Sequence, residues 1–295
     1  MITPERYEQL ATAEARHWGS IGADPRNPQL WHDERLFDIF FGAVYRHFVD
    51  RIVAAGPEVL ELGCGEGHLA IELARRGSQV TAVDLSQERI ERAKERASSL
   101  QKLKPTFEVA DVNTMSMAKD QYDCIVAHDA LHHLYNLDRV LDEASQALKQ
   151  NGRLITIDYV GMKTMRKLGA AFLYALLPTY QTYGYKWQLR HRARAFFASE
   201  STKREAMESG KENVLHHDSP FEEISQESII RSIRQRFDVV EMFTFSPFWF
   251  YLAPKIRTPR SWKYALARLL KKMDDLLLAI GVGGAYVFLE AKRQR

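Results

Sequence analysis

Cysteine is nearly absent from this 295-residue chain: Cys64 and Cys124 are the only two. That count excludes a disulfide framework and a cysteine-based metal site, and it makes a reducing compartment the simpler setting. Long apolar runs are missing as well. The two richest stretches, Leu168 to Leu177 and Leu276 to Leu289, fall short of the ~20 apolar residues a spanning helix needs. The second is also broken by Gly281, Gly283 and Gly284, so core or interfacial packing is expected of both. No basic region followed by an apolar one opens the chain, so no secretory signal is expected and a cytoplasmic location is the default. Charge of one sign is scarce too. A net charge of +3 is too mild to argue for nucleic acid. There is no internal repeat and no low-complexity tract. The 45% hydrophobic and 27% charged residues are those of an ordinary globular protein, long enough for one α/β domain with insertions or a cap.

What is present is organised around Val59-Leu60-Glu61-Leu62-Gly63-Cys64-Gly65-Glu66-Gly67. A short apolar strand runs into three glycines at alternate positions, and a helical pattern begins near Leu69. Strand, tight turn, helix is the predicted order, with glycine where the backbone must approach a ligand or take positive φ. Further strands are predicted at Gln79–Asp84, Phe107–Ala110, Tyr122–Ala127 and Arg153–Ile157. Helices are predicted between them: Gln87 to about Ser98, capped by Ser86, and Leu137 to Lys149, ended by Asn151-Gly152. This alternation predicts an α/β, Rossmann-like sheet of seven strands, mostly parallel, with helices on both faces. Two late strands, Phe237–Phe245 and Ala285–Ala291, predict an antiparallel hairpin at the sheet edge, so that the final strand is antiparallel.

Around this core, residues 1–56 are read as an N-terminal helical segment covering the ligand site. Thr3-Pro4 opens a first helix, and Leu36, Phe40, Val44 and Phe48 lie at helical spacing in an aromatic-rich second one. Residues 57–159 are the Rossmann-like core, 160–219 an inserted helical cap, and 220–295 the C-terminal part of the core. A helix over Gln226 to Arg236 and an irregular basic stretch over Pro247 to Lys272 are expected in that last part.

Polar residues fall at the carboxyl ends of consecutive strands: Glu61, Asp84, Asp111, His128 with Asp129, and Asp158. One rim of the sheet therefore carries the chemistry. The turn reads G-x-G-x-G, where the dinucleotide fingerprint is G-x-G-x-x-G, and Glu61 and Glu66 would oppose a pyrophosphate. A phosphate-free cationic adenosyl ligand suits these acids better. Asp84 follows Gly63 by 21 residues, the distance at which an acid receives ribose hydroxyls in either kind of cofactor.

Over residues 57–159 the chain resembles the class I S-adenosylmethionine-dependent methyltransferases, especially the small-molecule members of ubiquinone and menaquinone biosynthesis. The resemblance implies S-adenosyl-L-methionine as cofactor, with S-adenosyl-L-homocysteine as product. It places Glu61 near the methionine amino group and the Gly63 and Gly65 backbone along the ligand. It gives the ribose to Asp84, the adenine to Leu85, Asp111 and the Val112 amide, and the methionine part to the His128 backbone. The acceptor pocket would follow the fourth strand, where His132 and His133 stand, with Asp158 nearby; these three are the candidate catalytic residues, since a hydroxyl acceptor must lose a proton. Asp129 is read as structural. No metal site is expected; His216 and His217 beside Asp218 lack a matching third ligand.

The expected activity is methyl transfer to an oxygen, nitrogen or carbon of a small molecule: a quinol or phenol, a sugar, a lipid or another metabolite. A nucleic-acid acceptor is disfavoured, because no Asn/Asp-Pro-Pro-Tyr or Pro-Cys motif is present. The alternatives are a NAD-dependent oxidoreductase and a noncatalytic binding protein of the same fold. The cap, with Tyr180, Tyr183, Tyr185, Lys186, Trp187, Arg190, Arg192 and Arg194, is the expected acceptor lid. For its arginines, and for the cations from Lys255 to Lys272, a solvated basic face is the plainer reading than an anionic substrate or a peripheral contact with lipid headgroups.

Overall fold

The computed structural model describes residues 2–21, 30–100, 104–179, 199–209 and 219–294. Seven strands form one sheet: β1 Glu58–Leu62, β2 Gln79–Asp84, β3 Thr106–Val109, β4 Tyr122–His128, β5 Leu148–Tyr159, β6 Phe237–Phe245 and β7 Tyr286–Arg293. Their spatial order is β3, β2, β1, β4, β5, β7, β6. The first five strands pair in parallel, and β7 runs antiparallel to both its neighbours, β5 and β6. This is the mostly parallel sheet expected from the alternation. The late hairpin is also as expected, with β6 on the outer edge and β7 inside.

Helices cover both faces, as parallel crossovers require. They are α1 Pro4–Ser20, α2 Glu34–Ala55, α3 His68–Arg75, α4 Gln87–Ala97, α5 Leu137–Ala147, α6 Thr164–Leu176, α7 Glu200–Glu208, α8 Ile229–Arg234, α9 Trp249–Leu252 and α10 Arg260–Ala279. Side chains alternate along the strands, so Val59, Cys124 and Val126 join one core with Phe48 and Leu270, while Leu60, Leu62 and Ile125 join the other with Leu141 and Ile233. Glu61 shares the face of Val59 and lies among the first set.

Three boundaries differ from expectation. The helix over 137–149 ends at Ala147, and β5 starts at the next residue. Asn151-Gly152 sits inside the strand, where the register against β4 jumps from Tyr122–Leu148 to Cys124–Arg153; the glycine absorbs an irregularity rather than ending a helix. The helix expected from Gln226 begins only at Ile229. Ser225 is drawn away instead, its hydroxyl donating to the Leu131 carbonyl at 2.7 Å and its amide to that of His132 at 3.2 Å. The stretch expected to be irregular from Pro247 is mostly ordered, with α9 followed by the 20-residue α10.

Caps set the helix starts. Thr3 and Ser86 accept from Arg6 and Arg89 amides, as expected, and Asp33 does the same for α2 through Leu36. Buried Asp274 of α10 accepts from the Trp249 amide at the start of α9, at 3.0 and 3.1 Å.

Candidate active site

The strand order reverses between β1 and β4, since β1 continues towards β2 and β4 towards β5. At such a switch point the connections after two neighbouring strands leave in opposite directions and open a crevice at the carboxyl edge. The glycine turn after β1 and the segment 128–133 after β4 flank that crevice.

The turn is held by backbone. Gly63 and Cys64 amides both donate to the Val83 carbonyl at 2.9 Å, and the Gly65 amide donates to Asp84 Oδ2 at 2.8 Å. Gly63 and Gly65 have φ of 71° and 53°, a region that costs other residues ~1 kcal/mol or more. At Gly63 a Cβ would also stand 2.7 Å from the Ala130 Cβ, so this glycine lets the two flanks of the crevice meet.

Glu61 is the anomaly of the site. It is only 2% exposed, and its Oε2 has no hydrogen-bond partner. Burial, with the charge of Asp84 added, pushes its carboxyl up to about 8, against a single backbone hydrogen bond at Ala70. Glu66 behaves differently from expectation. It turns outward to Arg92 and Arg96 of α4, at 2.9 and 2.6 Å, so its charge is already answered and does not bear on a ligand. The argument against a pyrophosphate rests on Glu61 alone.

The remaining ligand-side candidates gather on the same rim. Asp84 is buried and also accepts from the Ser86 amide at 2.9 Å. Asp111 accepts from the Asn113 amide at 2.9 Å and from the Tyr7 hydroxyl of α1 at 2.7 Å. Val112 is buried, and Leu85 packs with Tyr7, Leu10 and Tyr135 under α1. The His128 ring lies between Tyr45 and Phe48 of α2, at 5.4 and 5.6 Å between centroids, and burial lowers its pKa.

Beyond β4 the chain makes a sharp turn. Asp129 has φ of 56°, its amide donates to the Ile157 carbonyl at 2.8 Å, and its buried Oδ1 has no hydrogen-bond partner, with His132 Nδ1 3.8 Å away. Read as structural from the sequence, it turns the chain here and also carries a carboxylate oxygen without a hydrogen bond, and burial raises its pKa. A short 3₁₀ turn, Leu131–His133, follows. Asp158, fully buried at the end of β5, organises it: Oδ2 accepts from the Ala130 and Leu131 amides at 3.1 and 2.7 Å, and Oδ1 meets His132 Nδ1 at 2.6 Å. Burial disfavours the imidazolium, but the charge and hydrogen bond of Asp158 outweigh it and push His132 up to about 10. The structure thus brings His132 and Asp158 into one dyad.

His133 faces α1, which the sequence did not connect to it. Glu14 Oε1 lies 3.3 Å from His133 Nδ1, and Glu222 Oε2 lies 3.9 Å from Nε2. Glu14 is buried and accepts from Trp18 Nε1 at 2.8 Å, Ser219 Oγ at 2.8 Å and the Phe221 amide at 3.0 Å. Burial raises its pKa, but His133 and these donors prevail and hold it below the ordinary value. Trp18 stands edge-on to the His133 ring at 5.1 Å, with the Arg89 guanidinium 4.8 Å over its own ring. Tyr7, Glu14 and Glu222 were therefore missed by sequence reasoning. Only the helical register of Tyr7, Glu14 and Trp18 (i, i+7, i+11) hinted that they share a face.

His132, His133 and Glu222 offer ligand atoms within 4.8 Å of one another, as do Asp129, His132 and Asp158. Both sets draw on His132, whose Nδ1 is already bonded to Asp158. His216, His217 and the tyrosines and arginines of residues 180–194 lie outside the described residues.

Comparison with known proteins decides the family. A family model described as a methyltransferase domain matches residues 54–212, more than half of the chain. The chain belongs to the methyltransferase domain family. Methyltransferase GfsG of Streptomyces halstedii is 34% identical over 122 residues, 40% of this chain and 44% of that protein. Ubiquinone biosynthesis O-methyltransferase of Coxiella burnetii is 27% identical over 132 residues, 45% and 53% respectively. The chain thus spans about half the length of the curated relatives it matches. Among solved structures, geranyl diphosphate methyltransferase in complex with GPP and sinefungin shares the fold, with a TM-score of 0.52 at 15% identity, covering 97% of this chain and 100% of that one. In this methyltransferase domain the matched stretch holds the glycine turn, all the rim carboxylates and the His132–Asp158 dyad.

Proposed function

We propose that this chain transfers a methyl group from S-adenosyl-L-methionine to a small-molecule acceptor, with an oxygen as the atom the site suits best. The observation that carries the reading is Glu61: a buried carboxylate with an unanswered oxygen beside a glycine turn at the switch point. A ligand ammonium would ionise this carboxyl and pair with it, whereas the pyrophosphate of NAD offers no cation to do so. The residues fit such a cofactor in other respects. Asp84 keeps lone pairs that could receive ribose hydroxyls beyond its two backbone bonds, and Leu85 could pack on the adenine. Asp111 and the Val112 amide could bind its amino group and ring, and the His128 backbone, fixed by Tyr45 and Phe48, could hold the methionine part. The relatives named above support a methyltransferase over an oxidoreductase, and one of them is an O-methyltransferase.

When bound, the cofactor supplies an already activated methyl group. The chain must orient the acceptor, keep water out and take a proton from a hydroxyl. Asp158 holds His132 by Nδ1, which leaves Nε2 as the nitrogen that can face an acceptor, and it makes the imidazole a stronger base. Asp158 accepts from the Ala130, Leu131 and His132 amides and meets the His132 ring, which fixes the imidazole in place. The helix α1 closes the rim through Tyr7, Glu14 and Trp18, so residues 1–56 serve as the cover of the cofactor site and the 160–219 insertion as the acceptor lid. Calorimetric titration with S-adenosylhomocysteine and, separately, NAD tests the cofactor: binding of the first alone is expected, and binding of NAD alone would overturn the reading.

A further inference from the structure

Among the described residues, most large apolar side chains left in the open belong to two helices. On α6, Met165, Leu168, Phe172 and Leu176 recur at i, i+3, i+7 and i+11 and form one outward stripe, with Met165 78% and Phe172 64% exposed. On α10 and its end, Trp262, Leu269, Met273, Leu276 and Ile280 form a second, with Trp262 and Ile280 each 69% exposed. Both helices have already used another face for the core. Ala170 and Tyr174 of α6 pack on Phe248 and Leu252, with Leu277 of α10 beside them, and Ala267 and Leu270 of α10 join the main core. The outward stripes are surplus to the fold, and a face of this kind marks a contact with another apolar body.

The charges around the stripes say which body. Lys163 opens α6, Arg257 and Arg260 lead into α10, and Arg268 and Lys272 flank its stripe; all five are exposed. Among the described residues no carboxylate pairs with any of them. By contrast Lys263 is paired with Asp33, and Lys271 with Asp275 on its own helix. The uncompensated charge beside the apolar stripes is wholly positive. A second copy of the chain would bring cation against cation, whereas apolar and cationic side chains on the same helices match the plane of an anionic bilayer, with Trp262 at the depth where indole rings settle. No helix among the described residues is long and apolar enough to cross a membrane. These helices would therefore lie along the surface.

We propose that the outward faces of α6 and α10 dock this protein on membranes carrying anionic lipids. The solvated basic face read from the sequence is thereby half of a lipid-binding surface, whose apolar half the helix register supplies. The test is co-sedimentation of the purified full chain with phosphatidylcholine vesicles, with and without phosphatidylglycerol. Binding to the anionic vesicles is expected, weakened by salt. Phe172→Glu, Leu276→Glu and the double variant Arg268→Glu with Lys272→Glu should each lower the partition at least about tenfold, with circular dichroism and melting temperature unchanged because the side chains point outward. Failure of the wild type to bind anionic vesicles, or binding that all three variants leave intact, would overturn the proposal. So would a wild-type dimer at sedimentation equilibrium that Phe172→Glu and Leu276→Glu dissociate, which would give the face to a second copy. Loss of folding in both apolar variants would give it to the chain's own residues and overturn it equally.

Discussion

Glu61 and His132 are two titratable groups driven to opposite sides of neutrality's usual assignments: an acid that keeps its proton, and a base that does not release it. With its carboxyl at about 8, Glu61 is mostly protonated at pH 7, and pairing with a ligand ammonium ionises it. S-adenosylhomocysteine binding at pH 7 should then release close to one proton, read from the dependence of the calorimetric heat on buffer ionisation enthalpy. Glu61→Gln should abolish the release and weaken binding roughly tenfold or more, the worth of a charge-assisted hydrogen bond. Because the folded chain retains a proton that the unfolded chain gives up above about pH 4.5, Glu61 opposes folding increasingly up to about pH 8, and the glutamine variant should lose that slope. For His132 the sign is reversed. Its folded pKa is raised, so its pairing with Asp158 stabilises fully below ~6.5, the unfolded value, and fades as pH rises through about 10. If its neutral form takes the acceptor proton, turnover should climb with pH from 7 towards 10, and His132→Gln should flatten the profile while leaving cofactor affinity intact; a wild-type rate independent of pH would remove His132 as the base. These residues were legible because they sit at strand ends, and strand ends follow from alternation. Their pKa values were not legible, since burial and the 2.6 Å contact with Asp158 depend on a turn that the sequence does not spell out.

At the scale of elements, α1 is the clearest addition. Its cap at Thr3-Pro4 was readable, but its partners were not, because Asp111, His133 and Phe221 lie far along the chain and its own apolar pattern is weak. Tyr7→Phe removes one hydrogen bond to Asp111 and should weaken S-adenosylhomocysteine binding by about 1–2 kcal/mol, roughly five- to thirtyfold, with little change in melting temperature; unchanged affinity would show that α1 covers the site without shaping it. The strands β1 to β5 were legible from their apolar runs. The α10 helix was not, for a physical reason: its cations from Arg260 to Lys272 made the stretch read as an irregular basic segment, although Ala267 and Leu270 lie within and Leu269, Met273 and Leu276 outside. The feature that hid the helix is the one that equips it for a lipid surface. Ser225 likewise shortened a predicted helix by bonding to the histidine turn, a tertiary contact that outweighs local propensity.

Across the whole molecule, the sheet is closed by β7, and its centre is Glu290. This carboxylate is 1% exposed and grips Arg51 of α2 at 2.6 and 2.9 Å and Arg153 of β5 at 2.6 Å. Removing one partner of a buried ion pair costs ~3–5 kcal/mol; because both arginines reach water, Glu290→Ala should cost nearer to about 2–3 kcal/mol, measured by urea unfolding, and a loss below 0.5 kcal/mol would deny the cluster any structural weight. The position of β7 also governs when the protein becomes itself. The strand nearest the C-terminus is threaded between two earlier ones, so during synthesis β5 waits without one neighbour and β6 has no partner strand at all until residues 286–293 have emerged. Pairing at such sequence separation is slow, and Asp158, which shapes the histidine turn, lies on the waiting strand opposite Val287. The histidine turn and β7 are therefore completed together: a nascent chain stalled before Tyr286 would already carry every candidate site residue named above, and still lack the strand that pairs beside Asp158.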